Sequence, residues 1–220
     1  MAILCKGGSE VRYYTAVGSR KTPAEFVPAM AGLSRRLREL GWVFRSGKAD
    51  GADAIFQIGA QTSKVADLEG KYGEVYKAWQ RFNTNLDSLE PFVTESGYKL
   101  YPWWDIVVKD KSLVLKAEDI VSELHPLWKA EKEGKEIAKP LSNGAKALHT
   151  RNVFQVLGKD LQTPSEFLVC YAEVDKQGIP KGGTRTAFVL AQKYNIPCFN
   201  FAVQNKEEIY AGVKEIIDGK

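Results

Sequence analysis

Three short stretches of this 220-residue chain combine glycine with side chains suited to holding a phosphate. They are Gly18-Ser19-Arg20, the run Ser46-Gly47-Lys48-Ala49-Asp50-Gly51-Ala52-Asp53, and Lys181-Gly182-Gly183-Thr184-Arg185. Glycine lets a backbone approach a phosphate closely, and the free amides at a helix N-terminus add donors and positive potential. Ser19, Ser46 and Thr184 can add hydroxyl donors, and Arg20 can pair with a phosphate bidentately. The candidate phosphate- or ligand-binding residues are therefore Gly18, Ser19, Arg20, Ser46, Gly47, Ala49, Gly51, Asp53, Gly182, Gly183, Thr184 and Arg185. Any one such turn could serve only to reverse the chain. Three on one edge favour a ligand site.

The elements around these turns decide whether they can share an edge. Arg12 to Val17 is β-branched and aromatic, the pattern of a strand, and ends at Gly18. Thr22-Pro23-Ala24-Glu25 reads as a capping box with proline in the first helical position. Phe26, Met30, Leu33, Leu37 and Leu40 then recur at helical spacing on one apolar face. Gly41 stops that helix, Trp42-Val43-Phe44 begins a second strand, and a second helix starts near Ala52. The same alternation returns near the C-terminus. Phe167 to Tyr171 is a continuous apolar run, as in a strand buried on both faces. Thr184 follows it into a helix whose Ala187, Leu190, Ala191 and Tyr194 share a face. Pro197 to Phe201 is a last strand, and Asn205 caps a final helix with Ile209, Val213 and Ile216 inward.

Strand–helix alternation with short turns predicts an α/β fold, Rossmann-like, with a mostly parallel sheet, helices on both faces and a central insertion. One domain over 1–220 is expected, with the insertion at about 79–116. Gly73–Tyr76 is a candidate third strand; 117–133 and 143–157 read as helical. Between Trp79 and Lys116, aromatics including Trp103 and Trp104 alternate with charges without a period. A hairpin plus loop covering the end of the sheet is the expectation there. Trp103-Trp104 has three readings: stacking on a base or ribose, closing a dimer interface, or packing of the insertion.

Composition excludes several classes. A hydrophobic fraction of 44% and a charged fraction of 26% are ordinary for a globular protein. No apolar run approaches the roughly 18 residues of a membrane span, and the N-terminus lacks the pattern of a signal peptide. A cytoplasmic location is expected, the host cytoplasm if the chain is phage-encoded. Cys5, Cys170 and Cys198 are odd in number and widely spaced, so neither a disulfide framework nor a metal site is expected. Cys170 and Cys198 read as small buried hydrophobes. With only His125 and His149 besides, no metal constellation and no catalytic triad assemble. The net charge of +4 suits an anionic ligand without the density of a DNA-coating protein. Arg35, Arg36 and Arg38 read as a solvated helix face, with a DNA-backbone stripe as the minor alternative.

No Gly-x-Gly-x-x-Gly follows the first strand, and no Gly-Lys-Ser/Thr ends a turn, so neither a dinucleotide fingerprint nor a P-loop is present. Instead, Val17-Gly18-Ser19-Arg20 with Ser46 through Asp53, and then Gly182-Gly183-Thr184-Arg185-Thr186-Ala187, resembles the SLOG superfamily. That superfamily includes the DNA-processing protein DprA (Smf), the LOG hydrolases and nucleotide-sensing modules of bacterial antiviral systems. The resemblance covers about two thirds of the chain and looks closest to stand-alone DprA-like proteins of phage genomes. His125-Pro126, Arg151-Asn152, Gly158 and Pro164-Ser165 belong to it less specifically. It implies a nucleotide or phosphate pocket formed by the three turns, adds Arg151 and Asn152 to the candidate ligand contacts, and implies a homo-oligomer.

The departures bear on catalysis. LOG-type enzymes carry a catalytic glutamate in a Gly-Gly-x-Gly-Thr-x-x-Glu motif, and here Ala187 stands at that position. Glu173 or Asp53 could substitute, but no catalytic residue is assigned. No cofactor is expected. Three functions follow. The first is a non-catalytic binder of a nucleotide, an ADP-ribose derivative or a cyclic nucleotide signal, which a phage would use to sequester the signal and evade host immunity. The second is a DprA-like recombination mediator on single-stranded DNA. The third is a LOG-like phosphoribohydrolase.

Overall fold

Tyr13–Gly18 pairs on both sides through its backbone and forms the centre of the sheet as strand β1. A computed structural model describes residues 11–63, 73–83, 99–100 and 104–219. After β1 a single 3-10 turn at Ala24–Phe26 leads into α1, Val27–Glu39. The sequence continues through β2 (Val43–Ser46), α2 (Ala52–Gln61), β3 (Thr62–Ser63), β4 (Gly73–Tyr76), β5 (Lys99–Leu100) and β6 (Trp104–Ile106). Then come α3 (Lys111–Leu124), α4 (Pro126–Lys132), α5 (Asn143–Leu157), β7 (Phe167–Tyr171), α6 (Thr184–Lys193), β8 (Cys198–Asn200) and α7 (Lys206–Ile217).

Six of these strands form one parallel sheet in the order β6-β4-β2-β1-β7-β8. The chain builds outward from β1 to β6 on one side, then returns to add β7 and β8 on the other. The order therefore reverses between β1 and β7, which is the Rossmann-type switch point where α/β proteins open a crevice at the carboxyl ends of the strands. Each face of the sheet has its own core. One joins Tyr14, Phe44, Val75, Phe167 and Val169 to Met30 and Leu37 of α1, Phe56 of α2, and Ile209 and Val213 of α7. The other joins Val17, Tyr76, Leu168 and Cys170 to Ala117 and Val121 of α3, Val153 and Phe154 of α5, and Ala187 and Leu190 of α6. Helices on both faces explain why β7 reads as a continuous apolar run, whereas β2 and β4 bury Arg45 and Glu74 as an ion pair at 2.8 Å.

Several expectations change at this level. Thr22 does not cap a helix: its hydroxyl donates to the Ser19 carbonyl, and Pro23 precedes the 3-10 turn with no side-chain cap. The helix expected over 117–133 begins earlier and breaks at His125-Pro126 into α3 and α4. That break follows from the bias of a pre-proline residue away from helical geometry. The expected insertion contributes β6 as a parallel edge strand beside β4, while β5 pairs antiparallel with β3. Residues 84–98 and 101–103, and hence Trp103 and most of the insertion, lie outside the described residues, as does Cys5. Leu40 and Tyr194 are exposed because each sits at the C-cap of its helix rather than on the apolar face. Arg38 is buried rather than solvated, Arg35 donates to Thr62, and only Arg36 points outward, toward Glu39. Cys170 is buried and Cys198 half-buried.

Candidate functional site

The three glycine turns meet at the carboxyl ends of β1, β2 and β7, and two side chains bind them together. Asp53, in the first turn of α2, is 2% exposed. Its Oδ1 accepts the Gly18 amide at 3.0 Å, and its Oδ2 accepts the amides of Gly47 at 3.2 Å and Ala49 at 3.3 Å. One carboxylate thus staples the first turn to the second. Burial pushes its pKa up, against the pull of Arg151 and the three amides. Arg151 of α5 is also buried. Its NH1 donates to the Gly47 carbonyl at 2.7 Å, and its NH2 donates to the side-chain oxygen of Asn152 at 3.0 Å. Asn152 in turn donates to the Gly183 carbonyl at 2.8 Å. This pair fastens the second turn to the third.

The glycines then divide by what surrounds them. A Cβ on Gly18 would meet the Tyr171 carbonyl oxygen at 2.4 Å and the Ala52 Cβ at 2.6 Å. On Gly51, whose φ is +75°, it would meet the Ser19 carbonyl oxygen at 2.4 Å. Gly47 lies equally tight against Gln155 and Arg151. These three are glycine because turns and strands pack against one another, and Gly47 and Ala49 commit their amides to Asp53 as Gly18 does. Gly182 and Gly183 differ: a Cβ on either would meet nothing within 4 Å, although the φ of +65° at Gly182 itself favours glycine. They open the N-terminus of α6, which has no side-chain cap. Of the three turns, this one leaves both space and unused amides for an anion.

A cavity of about 590 Å³ lies at this junction, beside the switch between β1 and β7. That volume falls within the range of roughly 300–1,000 Å³ occupied by small-molecule sites. Of the sequence candidates, Gly18, Ser19, Arg20, Ala49, Asp53, Arg151, Asn152, Gly182, Gly183 and Thr184 line it. Ser46, Gly47, Gly51 and Arg185 do not. Ser46 is fully buried below the turn, Gly47 and Gly51 hold turns together, and Arg185 pairs with Asp175 at 2.8 Å. Ser19 lines the cavity, but its hydroxyl accepts the Lys21 amide.

Other lining residues were not among the candidate ligand contacts: Val17, Lys21, Ala145, Leu148, His149, Ala172, Glu173 and Lys181. Lys21 and Lys181 flank candidate turns, so position next to a glycine turn was the available signal. Ala145 and Leu148 carried none, because only the packing of α5 brings them to this edge. His149 accepts or donates one hydrogen bond with the Thr186 hydroxyl at 2.7 Å and lies 4.5 Å, ring to ring, from His125. Burial, then His125 and Arg151, push its pKa down to about 4, so it is neutral near pH 7.

The electrostatics favour an anion. Arg20, Lys21, Arg151 and Lys181 line the cavity against the two carboxylates of Asp53 and Glu173. Glu173 is engaged at its edge by Lys181 at 3.8 Å. Arg151 forms no ion pair among the described residues, although it is a buried cation and lines the cavity. Burial accordingly lowers its pKa, with Asp53 opposing. A buried charge without a partner in contact is costly and is relieved by an opposite one. Ala187 is fully buried on the core side of α6, and Asp53 has both oxygens occupied. Glu173 is the remaining carboxylate at the cavity.

No protein-family model and no curated protein match the chain. A solved structure of DNA processing protein A from Helicobacter pylori, described for its single-stranded DNA binding mode, is similar at a TM-score of 0.47 and 18% identity. The similarity covers 86% of this chain and 64% of that one, so the chain spans less than two thirds of that protein. Among the described residues, no helix is long and apolar enough to cross a membrane.

Proposed function

We propose that the protein binds a phosphate-bearing nucleotide ligand in the cavity at the switch point and holds it without changing it. The observation that carries this reading is Arg151, a buried arginine that lines the cavity with no carboxylate in contact among the described residues, beside the uncapped N-terminus of α6. A phosphate there would take donors from Arg151 and from the Gly183 and Thr184 amides at once. Exposed Arg20, Lys21 and Lys181 would hold a second anionic group at the rim. A diphosphate-containing ligand such as an ADP-ribose derivative, or a cyclic nucleotide signal, meets both requirements. The biological role that suits such a binder is sequestration of a nucleotide signal, as a phage-type protein would use against host immunity.

Catalysis is disfavoured by the placement of the acids. Asp53 is engaged by three amides, and Glu173 is an exposed carboxylate held by Lys181 rather than a buried acid–base group. Single-stranded DNA binding, the property named for the H. pylori protein, is the second reading. The exposed cations at the rim favour it, since they could follow a phosphodiester backbone. We also expect a homo-oligomer, which light scattering at several concentrations would test.

The deciding experiment is thermal shift and calorimetry with nucleotides, cyclic dinucleotides, ADP-ribose derivatives and a single-stranded oligonucleotide, at low and high salt. A small ligand at about 100 times its Kd should add about 2.7 kcal/mol of stability. The expected result is a stoichiometric shift that survives salt and weakens when Arg20 and Lys181 become alanine. A response only to the oligonucleotide, collapsing as salt rises, would replace this reading with the second. Free base released from a nucleotide would establish hydrolysis instead.

A further inference from the structure

On the far side of Arg151 from the glycine turns the molecule has a second, smaller slot of about 160 Å³. It opens at the carboxyl ends of β4 and β6, on the same edge of the sheet as the cavity. Its walls are apolar: Tyr76 and Ala78 at the end of β4, Val107 and Val108 after β6, and Ala147 and Phe154 of α5. Lys77 also lines the slot and is paired with Asp105 at 2.9 Å, while two charged groups without an ion pair among the described residues break the apolar pattern. One is Arg151, which lines both the slot and the cavity. The other is Glu118 of α3, a half-buried carboxylate that forms no ion pair among the described residues.

The slot is smaller than the roughly 300–1,000 Å³ of an independent ligand site, so it suits one part of a larger ligand. At about 30 Å³ per water it would hold about five waters, the space of a single flat ring system. We infer that the slot is the base subsite of the ligand whose phosphate occupies the cavity, so that one nucleotide spans both, with its base against Arg151. This rests on the phosphate-binding reading above. Apolar walls bury the faces of a nucleobase, a guanidinium stacks on its ring, and Glu118 accepts from its N–H edge. Arg151 then acts twice, by charge on the phosphate side and by its planar face on the base side. Selection among ligands would come from the slot, while the glycine turns supply the shared affinity for phosphate.

The test compares ribose 5-phosphate with AMP, GMP, CMP and UMP by calorimetry, on the wild-type chain and on two variants that fill the slot from different walls, Ala147→Leu and Ala78→Leu. Melting without ligand establishes that each variant folds, and two independent positions guard against the loss of one. At least one nucleotide should bind tenfold or more tightly than ribose 5-phosphate. Each folded variant should erase that difference and leave ribose 5-phosphate binding within twofold. Equal binding of all five compounds to the wild type would overturn the base subsite and leave the phosphate site standing. So would a nucleotide preference that survives filling the slot, which would put the base in the main cavity. Weakening of ribose 5-phosphate and nucleotide alike would show that the slot reads no base. No binding of any compound would remove the phosphate site itself, and the inference with it.

Discussion

Replacing Asp53 with asparagine isolates the staple between the first two turns while keeping the size of the side chain. The carboxylate accepts Gly18 on one oxygen and both Gly47 and Ala49 on the other. Asparagine has one oxygen only. If the oxygen stays with Gly47 and Ala49, the new NH2 faces the Gly18 amide; the reverse orientation leaves two amides facing a donor. At least one N–H in a buried junction therefore loses its acceptor, at about 1–3 kcal/mol. Arg151 also loses the nearby negative charge that opposes its desolvation. Taking about 2 kcal/mol, and about 2–4 °C per kcal/mol for a chain of this size, Tm should fall by roughly 4–8 °C. The assay is thermal unfolding by circular dichroism near pH 7, paired with calorimetry of any ligand found for the wild type. Binding should weaken too, because the first turn is no longer held against the second. A variant that melts within about 2 °C of wild type would refute the claim that this carboxylate holds the site together.

The two kinds of glycine should respond in opposite ways. Gly18→Ala forces a methyl against the Tyr171 carbonyl and should cost about 1–3 kcal/mol by denaturant unfolding, whereas Gly183→Ala, with open space around it, should melt near wild type yet weaken a phosphate ligand several-fold. Acid should destabilise the protein through His149. Its folded pKa of about 4 lies below the usual 6.5, so the unfolded chain binds the proton first. Stability is full above about pH 6.5 and declines as pH falls toward 4, by an amount on the order of 1–3 kcal/mol. Equilibrium unfolding of His149→Gln across that range should show a shallower slope than wild type, and an unchanged slope would assign the acid sensitivity elsewhere.

Much of the fold was legible because strand and helix periods are local. β4 at Gly73–Tyr76, α5 at Asn143–Leu157 and β7 at Phe167–Tyr171 have the bounds their residue patterns predict. Asn205 forms the expected cap and, with Glu208, a reciprocal capping box. Thr22 failed as a cap because Pro23 takes the N-cap position of a short 3-10 turn and α1 begins only at Val27, an entry that residue spacing does not reveal. β6 could not be read because its three residues gain strand geometry only by pairing with β4.

By itself the sequence determined the α/β alternation, the three glycine turns and their place at strand ends, since these depend on residues near one another in the chain. Which glycine serves which purpose was decided by tertiary structure alone. Gly18, Gly47 and Gly51 sit where backbone and side chains from distant segments leave no room for a Cβ, and Gly182 and Gly183 border open space. The role of Asp53 was decided in the same way. As a helix first-turn acid it looked like a ligand contact or a substitute catalyst, and it became a staple because β1 and β2 bring three amides within its reach. Arg151 gained its place in the cavity wall because α5 packs across the strand ends, 104 residues from the Gly47 carbonyl it holds. A sequence records which groups can bond or carry charge; only folding settles which of them are already satisfied and which still face an open cavity.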